Sequence, residues 1–117
     1  MSPEAQKFAQ ALLDHHRKFC RSQSGEISST DSCLITYGAL CECAGLLHLK
    51  PTVGRFLREI AQWCLDSNWP PLNALAVNHD THRPGRGYGG APGCSLARWQ
   101  DEVTACIKFA DYPAVIS

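Results

Sequence analysis

The chain has 117 residues with 11 basic and 11 acidic side chains, so its formal net charge is zero. This length predicts a single domain over residues 1–117. A hydrophobic fraction of 44% excludes a disordered chain. A neutral balance argues against avid, non-selective nucleic-acid binding, which depends on phosphate neutralisation. No apolar run has the length of a membrane span, so we expect a cytoplasmic protein with no membrane partner.

The cysteine content predicts free thiols. There are seven cysteines, an odd number, and residues 1–20 lack the apolar block of a secretory signal. This combination is typical of a reducing compartment and of buried, unpaired thiols. Cys94 lies just before a predicted helix, where a lowered thiol pKa is expected.

The first predicted helix covers residues 2–21. Ser2 is a good N-cap and Pro3 suits the first helical position, and one apolar stripe follows. The polar, serine-rich stretch after it predicts a loop, with Glu26–Ser28 as a short edge strand. Cys33–Ile35 is a second short strand.

Two further helices are predicted in the middle of the chain. Thr36 caps a short helix over Tyr37–Ala44, and Gly45 supplies its left-handed C-terminal position. Residues 52–67 carry the strongest helical period in the chain. Its apolar positions are Val53, Phe56, Leu57, Ile60, Ala61, Cys64 and Leu65.

The last third of the chain predicts a strand, a loop and a helix. Leu72–Val77 is short, apolar and preceded by two prolines, which indicates a buried strand. Thr81–Gly90 is rich in glycine and proline and predicts a loop or hairpin tip. Ser95 caps a final helix over residues 95–110. The fold class is therefore a small α+β domain, with about four helices and a two- or three-stranded sheet.

Three short motifs suggest a family. Thr36–Leu40 reads T-Y-G-A-L, Val53–Gly54 opens the next helix, and Gly87–Gly90 reads G-Y-G-G. In this order, over Ile35–Gly90, they resemble the winged-helix domain of the O6-alkylguanine-DNA alkyltransferases and alkyltransferase-like proteins. The resemblance implies a helix-turn-helix with a glycine-rich wing.

The resemblance does not extend to the chemistry of that family. Its nucleophile motif would fall on Leu72–Val77, which contains neither cysteine nor histidine. The family's DNA-wedging arginine would fall on Pro51. What the resemblance implies is DNA contact without alkyl transfer.

Four arginines and a tyrosine form the predicted nucleic-acid surface. Arg55 and Arg58 lie off the apolar stripe of the presumed recognition helix, and Arg83 and Arg86 lie in the wing. Tyr37 is the counterpart of the tyrosine in the family motif. The leading hypothesis is a non-enzymatic recognition module that binds nucleic acid.

The alternative is a small protein-binding inhibitor or adaptor, for example one encoded by a prokaryotic mobile element or phage. Trp69, beside two prolines, and Tyr88, in the loop, are expected to be partly exposed, and such aromatics are enriched at protein interfaces.

A third hypothesis is a cysteine- or metal-dependent enzyme. His79, Asp80 and His82 include metal-ligand types, as does the pair His16 and Cys20, and Cys94 is a candidate nucleophile. A polar turn and core packing explain the first two groups as well. We predict no catalytic residue, no metal site and no cofactor.

Overall fold

A computed structural model describes residues 1–20 and 33–116. This part of the chain is mostly helical, with four α-helices and a two-stranded parallel sheet, which confirms the expected number of helices. The helices are α1 (Pro3–Phe19), α2 (Tyr37–Ala44), α3 (Val53–Asp66) and α4 (Trp99–Lys108), and the strands are β1 (Ile35–Thr36) and β2 (Ala76–Val77). Short 3-10 helices cover Leu47–Thr52, Leu72–Leu75, Arg86–Gly90 and Leu96–Arg98.

The predicted start of α1 and both predicted ends of α2 are confirmed, whereas α1 ends at Phe19, before the predicted residue 21. The Ser2 hydroxyl accepts a hydrogen bond from the Ala5 N–H at 3.3 Å, and the Thr36 hydroxyl accepts one from the Ala39 N–H at 3.2 Å. These bonds satisfy donors that have no partner inside the helix. Gly45 adopts the left-handed conformation that ends α2, with φ 72°.

The core lies between α1 and α3. The rings of Phe8 and Phe56 lie 5.5 Å apart, and Ile60 is fully buried beneath them. A polar contact joins the same two helices, because the Glu59 carboxylate accepts bonds from both the N–H and the hydroxyl of Ser2 at 2.8 Å. The apolar stripe of α3 is buried as predicted except for Leu65, which is 48% exposed.

The predicted buried strand is partly wrong. Only Ala76–Val77 forms a strand, and the preceding Leu72–Leu75 forms a 3-10 helix. The whole stretch is buried, as expected. An apolar run of this length predicts burial but does not distinguish an extended backbone from a tight helix.

The sheet of the described residues has two strands, which agrees with the expected two or three. Ile35 pairs with Ala76 and Thr36 pairs with Val77 in parallel, and the described residues contain no hairpin in Thr81–Gly90. That loop instead ends in the 3-10 helix Arg86–Gly90. The predicted strand at Glu26–Ser28 lies outside the described residues.

The start of the last helix was placed too early. Ser95 makes no side-chain cap, and α4 begins at Trp99 after a 3-10 turn. Glu102 of α4 accepts a hydrogen bond from the Ser95 N–H at 3.2 Å instead, so the approach to the helix is held by a side chain one turn inside it.

None of the helices in the described ranges is long and apolar enough to cross a membrane.

The seven thiols are free, and five of them are buried, as the cysteine content predicted. Burial raises the pKa of the Cys64 thiol to about 11 and that of Cys106 to about 12. These thiols therefore remain protonated and unreactive at neutral pH. Cys43 is the exposed exception.

We expect the native protein to react quickly with an aromatic disulfide reagent at a single thiol, Cys43. Five of the other thiols are buried, and burial raises the pKa of the half-buried Cys94 thiol. Because only thiolates react, the remaining reaction should wait for unfolding. Counting the thiols released before and after denaturation checks this. The Cys43→Ser variant is the control, and it should lose the fast phase; several fast thiols in that variant would contradict the burial pattern.

Candidate functional site

The glycine-rich segment, Gly85–Gly90, is tied to the start of α2. The chain leaves β2 through a turn in which the Asn78 N–H donates to the Arg83 carbonyl at 2.8 Å. The turn directs the Gly85 N–H at the hydroxyl of Tyr37, which accepts its hydrogen bond at 2.6 Å. Burial raises the pKa of the Tyr37 hydroxyl, so it remains neutral throughout the physiological range.

The same segment contacts α3 through Arg58. A Cβ atom placed on Gly87 would lie 3.5 Å from Arg58 Nη2, so the guanidinium lies beside this backbone, on the side where a larger residue would carry its side chain. A Cβ atom placed on Gly85 would lie 3.5 Å from the Tyr37 hydroxyl oxygen. The segment is therefore in contact with both α2 and α3.

A pocket of about 130 Å³ lies between α3 and the glycine-rich segment. Its lining is mostly apolar, with Val53, Leu57 and Ala91 among the wall residues and with Arg58 as the cation. The described residues that line it are Tyr37, Val53, Gly54, Leu57, Arg58, Asn73, Gly85, Gly87, Tyr88 and Ala91.

Asn73 is the polar residue buried in this lining. It is 2% exposed, and its Nδ2 group donates to the Cys94 sulfur at 3.6 Å. No group among the described residues donates a hydrogen bond to its Oδ1 atom. A buried acceptor left without a partner costs about 1–3 kcal/mol. The sequence analysis missed this residue, although one amide inside the apolar run Leu72–Val77 was the available signal.

The structure separates the two arginines of α3. Arg58 lines the pocket, whereas Arg55 lines a different cleft together with Ser2, Phe56 and Glu59. The Arg55 guanidinium lies 5.9 Å from the centre of the Phe56 ring. The predicted grouping therefore brings Arg58 to the glycine-rich segment and leaves Arg55 apart.

The predicted wing arginines lie on either side of the Gly85 contact. Arg83 is exposed two residues before Gly85, and Arg86 begins the 3-10 helix that follows it. Lys50 is a cation that the sequence analysis missed. Its Nζ atom lies 3.6 Å from a Cβ placed on Gly38, next to Tyr37 in α2. No salt bridge joins Arg58 or Lys50 to a carboxylate in the described part of the chain.

The two predicted interface aromatics have different environments. Tyr88 was expected to be partly exposed, and this is wrong, because it is 7% exposed and its hydroxyl donates to Glu102. Trp69 is half-buried as expected, with its ring edge-on to Trp63 at 5.0 Å. This pair lines a groove at the opposite end of α3, with Val115 among the other lining residues.

The candidate metal and nucleophile residues are dispersed. His79 and His82 are both exposed, and the described residues contain no group of three or more metal-ligand side chains. His16 is buried, and its Nε2 lies 2.7 Å from the Cys106 carbonyl oxygen. The expected lowering of the Cys94 thiol pKa is wrong: burial raises it, which outweighs the opposing effect of the Asn73 hydrogen bond.

The Tyr37→Phe variant is expected to fold normally and to release the glycine-rich segment. It removes the acceptor of the Gly85 N–H, so the free energy of unfolding should fall by about 1 kcal/mol. Hydrogen exchange at the Gly85 amide should accelerate, while amides of the α1–α3 core remain protected. Unchanged exchange at Gly85 would show that the Tyr37 hydroxyl does not hold the segment.

No protein-family model, curated protein or solved structure shows significant similarity to this chain.

Proposed function

We propose that this domain is a non-enzymatic recognition module that binds nucleic acid. Its contact face is formed by Tyr37, Lys50, Arg58 and the glycine-rich segment. The observation that carries the proposal is the position of Arg58, whose guanidinium makes no salt bridge with the described residues and lies beside the exposed backbone of Gly87.

The chemistry of this face suits a phosphate backbone. Arginine binds phosphate through a fixed fork of donors, and lysine adds a compact charge. Glycines let a ligand approach the main chain closely, since no side chain stands in the way. Because the chain as a whole is neutral, the attraction would be confined to this face.

In this proposal, α2 and α3 act as a helix-turn-helix with α3 as the recognition helix. The hydrogen bond from Gly85 to Tyr37 holds the glycine-rich segment beside the helix pair, where a wing would contact the backbone. The parallel pairing of β1 and β2 means that the segment would act as a wing without a β-hairpin.

The proposal is tested by measuring the affinity for a short DNA duplex across a range of salt concentrations. Each phosphate neutralised contributes about 0.9 to the slope of log affinity against log salt. With Lys50 and Arg58 in contact with phosphates, affinity should fall as salt rises. Absent binding at low salt, or binding that does not change with salt, would refute it.

A second candidate function, protein binding, is favoured by the groove at the other end of α3. Trp63 and Trp69 line it as a half-buried, edge-on pair, and Val115 beside them is 65% exposed. Exposed aromatic anchors are typical of binding hot spots. If the protein binds a partner protein, Trp69→Ala should abolish that binding and Arg58→Gln should leave it unchanged. This result would support protein binding over nucleic-acid binding.

A further inference from the structure

The pocket between α3 and the glycine-rich segment has properties that phosphate contact does not require. Asn73 is 98% buried at its wall, and the Oδ1 acceptor has no hydrogen-bond partner among the described residues. Buried polar atoms in folded proteins are satisfied by protein, water or ligand in nearly all cases. Because Asn73 is one of the residues that line the pocket, a ligand that brings an N–H or O–H donor suits this site.

The size of the pocket limits the ligand to about one ring. Its volume is about 130 Å³, with Val53, Leu57 and Ala91 among its apolar walls. An engineered apolar cavity of about 150 Å³ holds a benzene molecule. The volume of this partly open pocket therefore matches about one six-membered ring, with substituents of the ring directed toward its opening.

The charge of the residues that line the pocket indicates the charge of the ligand. Arg58 supplies a positive charge to the lining, and none of the described lining residues is an aspartate or glutamate. Because Arg58 lines the ring-sized space itself, its charge suits an anionic group attached directly to the ring. A nucleotide carries its phosphate a full sugar away from the base, which fits this spacing less well.

We propose that the pocket binds a free monocyclic aromatic carboxylate that carries a hydroxyl or amino group. The hydroxyl or amino group donates to Asn73 Oδ1, the ring packs against Val53 and Leu57, and the carboxylate pairs with Arg58. Since Arg58 also belongs to the proposed nucleic-acid face, such a ligand would compete with phosphate for the same guanidinium.

The test uses calorimetric titration of the intact protein with matched probes. The probes are 3- and 4-hydroxybenzoate, benzoate, which lacks the donor, and the two hydroxybenzyl alcohols, which lack the charge. At least one hydroxybenzoate should bind with one-to-one stoichiometry and at least tenfold more tightly than benzoate or its own alcohol. If no hydroxybenzoate binds, or if benzoate binds equally well, the proposal is overturned.

Three variants assign the contacts. Asn73→Leu keeps a side chain of similar size and should remove the preference for the hydroxyl, while Arg58→Gln should remove the preference for the carboxylate. Arg55→Gln is the control in the neighbouring cleft and should bind like the parent protein. If Asn73→Leu fails to fold, the affinities of the parent protein for hydroxybenzoate, benzoate and the alcohols still test the proposal.

A final probe, deoxycytidine monophosphate, separates a free carboxylate from a base of a nucleic-acid strand. Its ring also carries an amino group, but its phosphate is remote from that ring. Tighter binding of this nucleotide than of every hydroxybenzoate would overturn the proposal in favour of a nucleobase pocket. Weaker binding supports the free carboxylate, whatever the result of the DNA titration.

Discussion

The Arg58→Gln variant is expected to bind duplex DNA about tenfold more weakly or worse at low salt, because charge-assisted hydrogen bonds contribute about 1.5–3 kcal/mol. The slope of log affinity against log salt should also decrease by about 0.9, the share of one phosphate contact. Glutamine keeps much of the length of the side chain but removes the charge. Arg58 is exposed on α3, so the fold should be unaffected.

Arg55→Gln is the matched control for this measurement. It removes the same charge from the same helix, but in a cleft lined by Ser2 and Glu59. The loss of affinity should therefore be confined to the Arg58 variant. Equal losses in both variants would indicate a general effect of net charge and would contradict a defined contact face at the glycine-rich segment.

The Phe8→Ala variant is expected to lose about 3–5 kcal/mol of unfolding free energy, the usual cost of deleting a buried aromatic ring. Phe8 is fully buried, and its ring contacts Phe56 across the α1–α3 interface. This loss is a large fraction of the stability of a typical domain. The midpoint of thermal unfolding should fall by on the order of 15 °C.

Phe19→Ala is the control on the same helix, because Phe19 is 38% exposed near the end of α1. It should lower the unfolding midpoint far less. Chemical denaturation monitored by circular dichroism measures both variants. Similar losses at the two positions would contradict a core centred on the contact between Phe8 and Phe56.

The helices could be predicted because their signals are local. Ser2, Thr36 and Gly45 act on backbone groups a few residues away, so their roles can be inferred from the sequence and are confirmed here. The same applies to the apolar stripe of α3, whose period of burial follows from helical geometry. Local signals of this kind therefore predict three of the four helices, α1, α2 and α3.

The strands could not be predicted as well, because their pairing depends on residues far apart. Ile35 pairs with Ala76 although the helices α2 and α3 lie between them in the sequence. The 3-10 backbone of Leu72–Leu75 is set by packing on both sides, and a short apolar run leaves that choice open. The burial of Tyr88 could not be predicted for a related reason. Its hydrogen-bond partner, Glu102, belongs to α4, which follows later in the chain.

The candidate site was predicted in part. Tyr37 and Arg58 were named from the sequence, and both contact the glycine-rich segment. Asn73 and Lys50 were missed, because only the tertiary structure shows an unpartnered amide at a pocket and a lysine beside Gly38. Arg55 was grouped with Arg58 because a three-residue spacing puts both on adjacent parts of one helical surface, but the two side chains enter different clefts.

The most direct test of the central claim, that the glycine-rich segment and α3 form the nucleic-acid contact face, is an amide chemical-shift titration of the labelled protein with a short DNA duplex. We predict that the shifts will concentrate at Tyr37, Lys50, Arg58 and Gly85–Gly90, with little change around Trp63 and Trp69. Shifts concentrated at the tryptophan groove, or none at saturating DNA, would contradict the claim.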